Sequence, residues 1–74
     1  MIAVGSKVMF AMGAQGIVPV GTKGAERIIQ GVVTGMVDSS PPAAMVDAGE
    51  LEAYYVSLSN LSLSGADGNS GERG

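Results

Sequence analysis

The fold depends on one apolar stretch, Ile28-Ile29-Gln30-Gly31-Val32-Val33-Thr34-Gly35-Met36-Val37, and on whether it is a strand or a helix. Its apolar residues follow helical spacing, and Ala25-Glu26-Arg27 would supply a first turn. Against a helix, Gly31 and Gly35 would each cost about 1 kcal/mol, and most of the apolar residues are β-branched. Such residues fit a pleated sheet, where glycines mark bulges or bends. We therefore predict a strand, with a helix over 25–37 as the alternative.

On the N-terminal side, alternation predicts a strand over Val4–Phe10. Val8 and Phe10 share one face of it, and Lys7 and Met9 share the other. The glycine-rich stretch that follows, 11–26, is expected to be a long loop or hairpin. Proline cannot donate a hydrogen bond within a sheet, so Pro19 confines this hairpin to a sheet edge.

On the C-terminal side, Asp38-Ser39-Ser40-Pro41-Pro42 predicts a turn, because Asp and Ser bond their own backbone and Pro fixes φ. A short strand is expected over 44–47, a turn over 48–50 and a longer strand over 52–58. In that last strand the residues expected to face one way are Tyr54, Val56 and Leu58, and those expected to face the other way are Tyr55, Ser57 and Ser59. The sequence therefore predicts an all-β fold.

The chain has 74 residues, which is enough for one small domain over 1–64. Residues 65–74 are predicted to form a flexible Gly/Ser-rich C-terminal tail, since none of them is larger than alanine and apolar. The chain contains no cysteine and no histidine, so disulfides and the usual zinc ligands are excluded. Small domains often need such supplements, and association with other chains is the one that remains.

The charge balance of the chain argues against two classes of binding partner. The net charge is -3, and only four residues are cationic. Nucleic acids and anionic membranes both attract proteins through basic side chains, so neither is the expected partner. The sequence shows no signal peptide and no transmembrane segment, which predicts a cytoplasmic or virion-associated protein.

The order of these elements resembles the SH3-like small β-barrels, including the Tudor-like and KOW-like modules. The resemblance covers about residues 4–64 and includes the opening Gly5-Ser6-Lys7-Val8, the central Gly31-Val32-Val33-Thr34-Gly35 and the closing segment 55–63. It implies a barrel of about five strands, with one tight helical turn at Ser59-Asn60-Leu61 before a final short strand. A fold of this kind does not by itself assign a function.

Catalysis is not expected. No histidine or paired carboxylates suit general acid–base work, and the serines have no base to activate them. One enzyme family has a similar outline, the trimethoprim-insensitive dihydrofolate reductases, but its Val-Gln-Ile-Tyr motif is replaced here by Ala53-Tyr54-Tyr55-Val56. The acidic residues Asp47, Glu50 and Glu52 lack the spacing of a calcium loop. We predict no cofactor, no metal and no small-molecule substrate.

A loop motif supports an alternative. Gly21-Thr22-Lys23-Gly24 fits the GXXG loop with which KH domains grip a nucleic-acid backbone, and a helix over 25–37 would place it correctly. Lys23 and Arg27 are then the candidate loop contacts. The same segment resembles a phosphate-binding P-loop, but Thr22 and Lys23 stand in the reversed order.

The large apolar residues suggest a protein-protein interaction surface. Met9, Met36, Met45 and Tyr55 alternate with residues predicted to point inward, which leaves them on the outside of a barrel. Monomers seldom expose apolar patches beyond a few hundred Å². We therefore predict a non-enzymatic structural or assembly protein that forms a homo-oligomer or docks on a larger complex such as a phage virion. The alternative is a nucleic-acid-associated module of the KOW, Tudor or KH kind.

Overall fold

The structure is a computed structural model that describes residues 1–64. These residues form six β-strands joined by turns, and a 3₁₀ turn at Leu58–Asn60 precedes the last strand. The strands are β1 (Lys7–Gly13), β2 (Gly16–Val18), β3 (Arg27–Val37), β4 (Ala43–Asp47), β5 (Tyr54–Ser57) and β6 (Ser62–Leu63). The predicted all-β class is confirmed, and the predicted tail over 65–74 lies outside the described residues.

The strands form one antiparallel sheet in the order β2-β1-β3-β4-β5. One edge of β1 pairs with β3 along its length, and the other edge is shared by β2 and β6. β6 thereby returns the chain to β1, where Val8 pairs with Leu63 and Met9 with Ser62. The sheet closes almost completely into a small barrel.

β3 is the longest strand and decides between the two predicted structures for this segment. Ile29 and Val33 are buried, whereas Ile28 and Val32 are exposed, so burial follows the period of two that a strand requires. A helix would have placed all four on one face. The helical alternative over 25–37 is therefore wrong, because pairing with β1 and β4 on both edges fixes the segment as a strand.

The two glycines of β3 have different surroundings. A Cβ built on Gly31 would lie 2.6 Å from the backbone oxygen of Asp47, so the close approach of β4 requires glycine there. A Cβ on Gly35 would have no atom within 4 Å. Gly35 lies where the pairing of β3 with β4 shifts register after Val33, which is a β-bulge. The predicted association of a strand glycine with a bulge is confirmed for Gly35, whereas Gly31 lies in regular pairing with Val8.

The core lies inside the barrel and contains side chains from every long strand. Its buried members are Val8, Phe10, Ile29, Val33, Ala44, Val46, Val56 and Leu61. Tyr54 and Leu58 pack against this cluster, as the predicted alternation of the last long strand requires. The predicted boundaries were less accurate, because β1 extends to Gly13 and β5 is limited to Tyr54–Ser57.

The loops confirm the predicted turns. Pro19 directly follows the edge strand β2, and the chain then turns at Thr22, whose Oγ1 donates to the Pro19 carbonyl at 2.7 Å. In the predicted turn after β3, the Ser39 hydroxyl donates to the Pro41 carbonyl at 2.8 Å, and the Ser40–Pro41 peptide is cis. Residues 1–64 contain no helix of the length and apolar character needed to cross a membrane.

Candidate interaction surface

The outward side chains of β3 form a continuous line along the outside of the barrel. They are Ile28, Gln30, Val32 and Thr34, and we call them the outer row of β3. Ile28 has 56% of its surface exposed and Val32 has 39%. Gln30 and Thr34 are polar and occupy the same alternate positions of β3 as Ile28 and Val32. They therefore identify this side of the strand as the one that faces solvent. This alternation of polar and apolar residues is visible in the sequence and could have identified the outer row of β3, which the predicted surface residues did not include.

The neighbouring strands place opposite charges on the two sides of this row. Lys7 of β1 and Asp47 of β4 both pair with Val32. Residues directly opposite one another in a sheet share a face, so the three side chains emerge side by side on the outside of the barrel. Lys7 and Asp47 are exposed. Across the barrel surface the sequence of side chains is therefore cation, apolar, anion.

Two of the predicted surface residues form a pair. Met45 of β4 lies opposite Tyr55 of β5, and on its other side it faces Gly35, which offers no side chain. Tyr55 has 54% of its surface exposed, and its hydroxyl lies 3.0 Å from the Ser39 hydroxyl. This hydrogen bond links Tyr55 to the turn that follows β3.

The other two predicted surface residues lie elsewhere. Met9 is half-buried and pairs with Gln30, on the β1 side of the outer row. Met36 is 44% exposed near the end of β3, where it lies opposite the buried Ala44 of β4. Met36 is therefore exposed as predicted, although the bulge at Thr34 separates it from the outer row of β3. The four residues do not make one patch, and their role in association stays a prediction.

The candidate loop contacts line two different cavities. Lys23 is exposed beside a cavity of about 330 Å³ between the tip of the β1–β2 hairpin and the loop that follows it. Arg27 lines a neighbouring cavity with Glu26 and Ile28. The loop holding Lys23 leads into strand β3, so the helix that a KH arrangement needs after its GXXG loop is not formed.

The acidic residues near the β4–β5 turn take part in local hydrogen bonds. The Asp47 Oδ1 accepts from the backbone N–H of Gly49 at 2.9 Å, which closes the turn. The Tyr54 hydroxyl donates to Glu50 Oε2 at 3.0 Å. Within residues 1–64, no three potential metal-ligating side chains of the His, Cys, Asp and Glu types are grouped together. These carboxylates thus have a structural explanation as a hydrated hairpin tip.

The Glu50–Tyr54 hydrogen bond gives the phenol a distinct titration. The hydrogen bond to Glu50 raises the pKa of Tyr54 above its usual value of 10.0, partial burial and the negative charge of Glu50 raise it further, and Arg27 opposes the shift. The folded chain holds this proton more tightly than the unfolded chain. The resulting stabilisation is present below the ordinary tyrosine pKa and is lost as the pH rises through the raised pKa.

We expect Glu50→Ala to lower the pKa of Tyr54, because the variant removes both the acceptor and the charge. The measurement is an alkaline titration of tyrosinate absorbance, with Tyr54→Phe identifying which transition belongs to this residue. Glu52→Ala, two residues along the same turn, is the matched control and should leave the transition in place. An unchanged Tyr54 titration in Glu50→Ala would contradict the assigned hydrogen bond.

Comparison with protein-family models, with curated proteins and with solved structures gave no match to this chain. The candidate surface therefore rests on the geometry described above.

Proposed function

We propose that this chain is a non-enzymatic structural or assembly module with an SH3-like barrel, which acts by associating with copies of itself or with a larger complex. The strand order around the barrel, β6-β1-β3-β4-β5, is compatible with that fold family. The additional strand β2 lies in the long first loop, and a 3₁₀ turn precedes the final strand. Both features support the resemblance drawn from the sequence, with the 3₁₀ turn at Leu58–Asn60, one residue before the predicted position.

The single observation that carries the proposal is the outer row of β3. Ile28 and Val32 are large apolar side chains on the outside of a barrel and are 56% and 39% exposed. Fully burying such a side chain contributes roughly 1.5–3 kcal/mol relative to full exposure, so covering this row would favour association. A domain with a core this small gains substantially from added burial.

The absence of catalysis is part of the same proposal. The chain has neither histidine nor cysteine, and the carboxylates of Asp47 and Glu50 are engaged in local hydrogen bonds. Small size, acidic charge and an association surface suit an accessory protein of a phage particle or a comparable assembly. The KOW- or Tudor-like nucleic-acid alternative has less support, because the cations of residues 1–64 are only Lys7, Lys23 and Arg27.

We expect the full chain to show a mass above the 7.4 kDa monomer that rises with concentration in sedimentation or light-scattering measurements. The double variant Ile28→Thr/Val32→Thr should shift the equilibrium towards monomer, because it removes apolar surface while keeping β-branched side chains suited to a strand. Circular dichroism should show that the variant remains folded.

The matched control is Val4→Thr/Leu51→Thr, which changes two exposed apolar residues outside the outer row. It should associate as the unmodified chain does. A folded chain that stays monomeric at all concentrations would overturn self-association. Salt-sensitive binding to an added oligonucleotide would instead favour the nucleic-acid alternative.

A further inference from the structure

We infer that two copies of this chain pair with two-fold symmetry, β3 against β3, and that Lys7 of each copy faces Asp47 of the other. This inference rests on the proposed function and specifies its partner and its geometry. It follows from the order of side chains across the barrel, where Val32 lies between Lys7 on one side and Asp47 on the other.

One symmetry operation places each of the two charged residues opposite the residue of opposite charge in the second copy. Consider a two-fold axis that lies in the interface, runs along β3 and passes through Val32. Rotation about this axis exchanges the left and right sides of the row, so the cation of one copy moves opposite the anion of the other. Two equivalent Lys7–Asp47 contacts then flank a central Val32–Val32 contact. Self-complementarity of this kind is what a two-fold interface requires.

The residues on the axis are compatible with meeting their own copies. All four members of the outer row are uncharged, so no like charges face each other along it. Ile28 and Val32 would each contact an apolar partner. Gln30 would face its counterpart, and because a side-chain amide has both donors and an acceptor, the two can exchange hydrogen bonds. A charge at any of these positions would have opposed the pairing.

The proposed contact has a limited length. The outer row extends from Ile28 to Thr34, which is about 20 Å at the usual rise of about 3.3 Å per residue. The flanking charges lie only one strand away on either side, at about 4.8 Å. The Asp47 Oδ1 accepts from Gly49, and its second oxygen remains to accept from a lysine.

A second copy is therefore the occupant that the charge pattern specifies. A different protein would need its own row with the opposite order of charge, whereas a copy of this chain supplies that order by rotation alone. The apolar contact on the axis could form at several alignments of the two β3 strands, and the two ionic contacts would select one of them.

Charge-reversal variants test the pairing. In Lys7→Glu, the new carboxylate faces Asp47 of the other copy. In Asp47→Lys, the new ammonium faces Lys7 of the other copy. Each variant alone therefore places like charges at both contacts. We expect each to weaken self-association by about tenfold or more, the effect of about 1.4 kcal/mol in binding. An equimolar mixture of the two variants restores opposite charges at both contacts. Native mass spectrometry should therefore show the mixed dimer well in excess of the share of about one half that random pairing of equal amounts would give.

The controls separate charge from folding. Lys23→Glu and Asp38→Lys make the same charge changes at exposed positions outside the row and should leave association unchanged. Asp47→Asn keeps the oxygen that accepts from Gly49 and should weaken association without disturbing the turn. Circular dichroism verifies that each variant is folded.

The outcomes distinguish this inference from the proposed function. Selective formation of the mixed dimer supports two-fold pairing through Lys7 and Asp47. Self-association that charge reversal does not change, or a mixture without preference for the mixed dimer, overturns the pairing and leaves the assembly function standing. A full chain that does not self-associate overturns both the pairing and self-assembly.

Discussion

Replacing Phe10 with alanine is expected to destabilise the folded barrel by about 3–5 kcal/mol, the usual cost of removing a buried aromatic side chain. Phe10 is fully buried and is the largest of the completely buried residues. Its ring meets that of Tyr54 edge to face, with the centroids 5.2 Å apart. Such a pair contributes about 0.5–1.5 kcal/mol in addition to the burial itself.

The effect is large relative to the stability of the whole domain. Globular proteins have roughly 0.05–0.15 kcal/mol of stability per residue, which gives a 64-residue barrel about 3–10 kcal/mol. The loss of the Phe10 side chain would remove much or all of this stability. We therefore expect Phe10→Ala to be largely unfolded at room temperature or to unfold at a much lower denaturant concentration than the unmodified chain.

Denaturant unfolding followed by circular dichroism measures this difference, at a concentration low enough to limit association. Tyr55→Ala is the control, because it also removes an aromatic ring from this sheet, but one that lies on the outside and is 54% exposed. It should cost about 1 kcal/mol or less. Equal losses in the two variants would contradict the assignment of Phe10 to the centre of the core.

The sequence was sufficient to predict much of this fold. Alternation placed Val8 and Phe10 inside and Lys7 and Met9 outside, and burial confirms that assignment. The turn at 38–42 followed from residues that can adopt few other backbone conformations. Local patterns of this kind are reliable when backbone preference and burial favour the same structure.

The contested segment shows where local pattern is insufficient. Helical and strand spacing both fit residues 28–37, and only pairing with β1 and β4 on both edges makes one of them the native structure. The bulge after Val33 belongs to the pairing of β3 with β4. It changes which residues share the face of Val32, so Met36, although 44% exposed, does not extend the outer row of β3.

The sequence predicted an apolar interaction surface, but it did not predict the residues of the candidate surface described above. Composition led to the prediction that a small chain without cysteine or histidine gains from association, which stays a prediction. Composition could not identify the residues involved, because the positions of Lys7 and Asp47 beside Val32 depend on the register of three strands. Register is fixed by the packed barrel as a whole and not by any one segment.

Gly31→Ala is expected to disrupt the pairing of β3 with β4, because the added methyl group has no space. Its Cβ would lie 2.6 Å from the Asp47 carbonyl oxygen and 2.7 Å from Val46 Cγ1. The first of these atoms belongs to the backbone and cannot move without shifting β4. Overpacking of this kind typically costs about 1–3 kcal/mol and sometimes more, so we expect a clearly lower unfolding midpoint.

Gly35→Ala separates this steric effect from the general effect of replacing a strand glycine. Gly35 is in the same strand, and a Cβ there would have no atom within 4 Å. The substitution also reduces the conformational freedom of the unfolded chain, so its stability should be unchanged or higher by about 0.4–1 kcal/mol. Thermal unfolding of the two variants side by side gives the comparison. If Gly31→Ala were as stable as Gly35→Ala, β4 could not lie as close to β3 as the structure places it, and the register that brings Asp47 beside Val32 would be wrong as well.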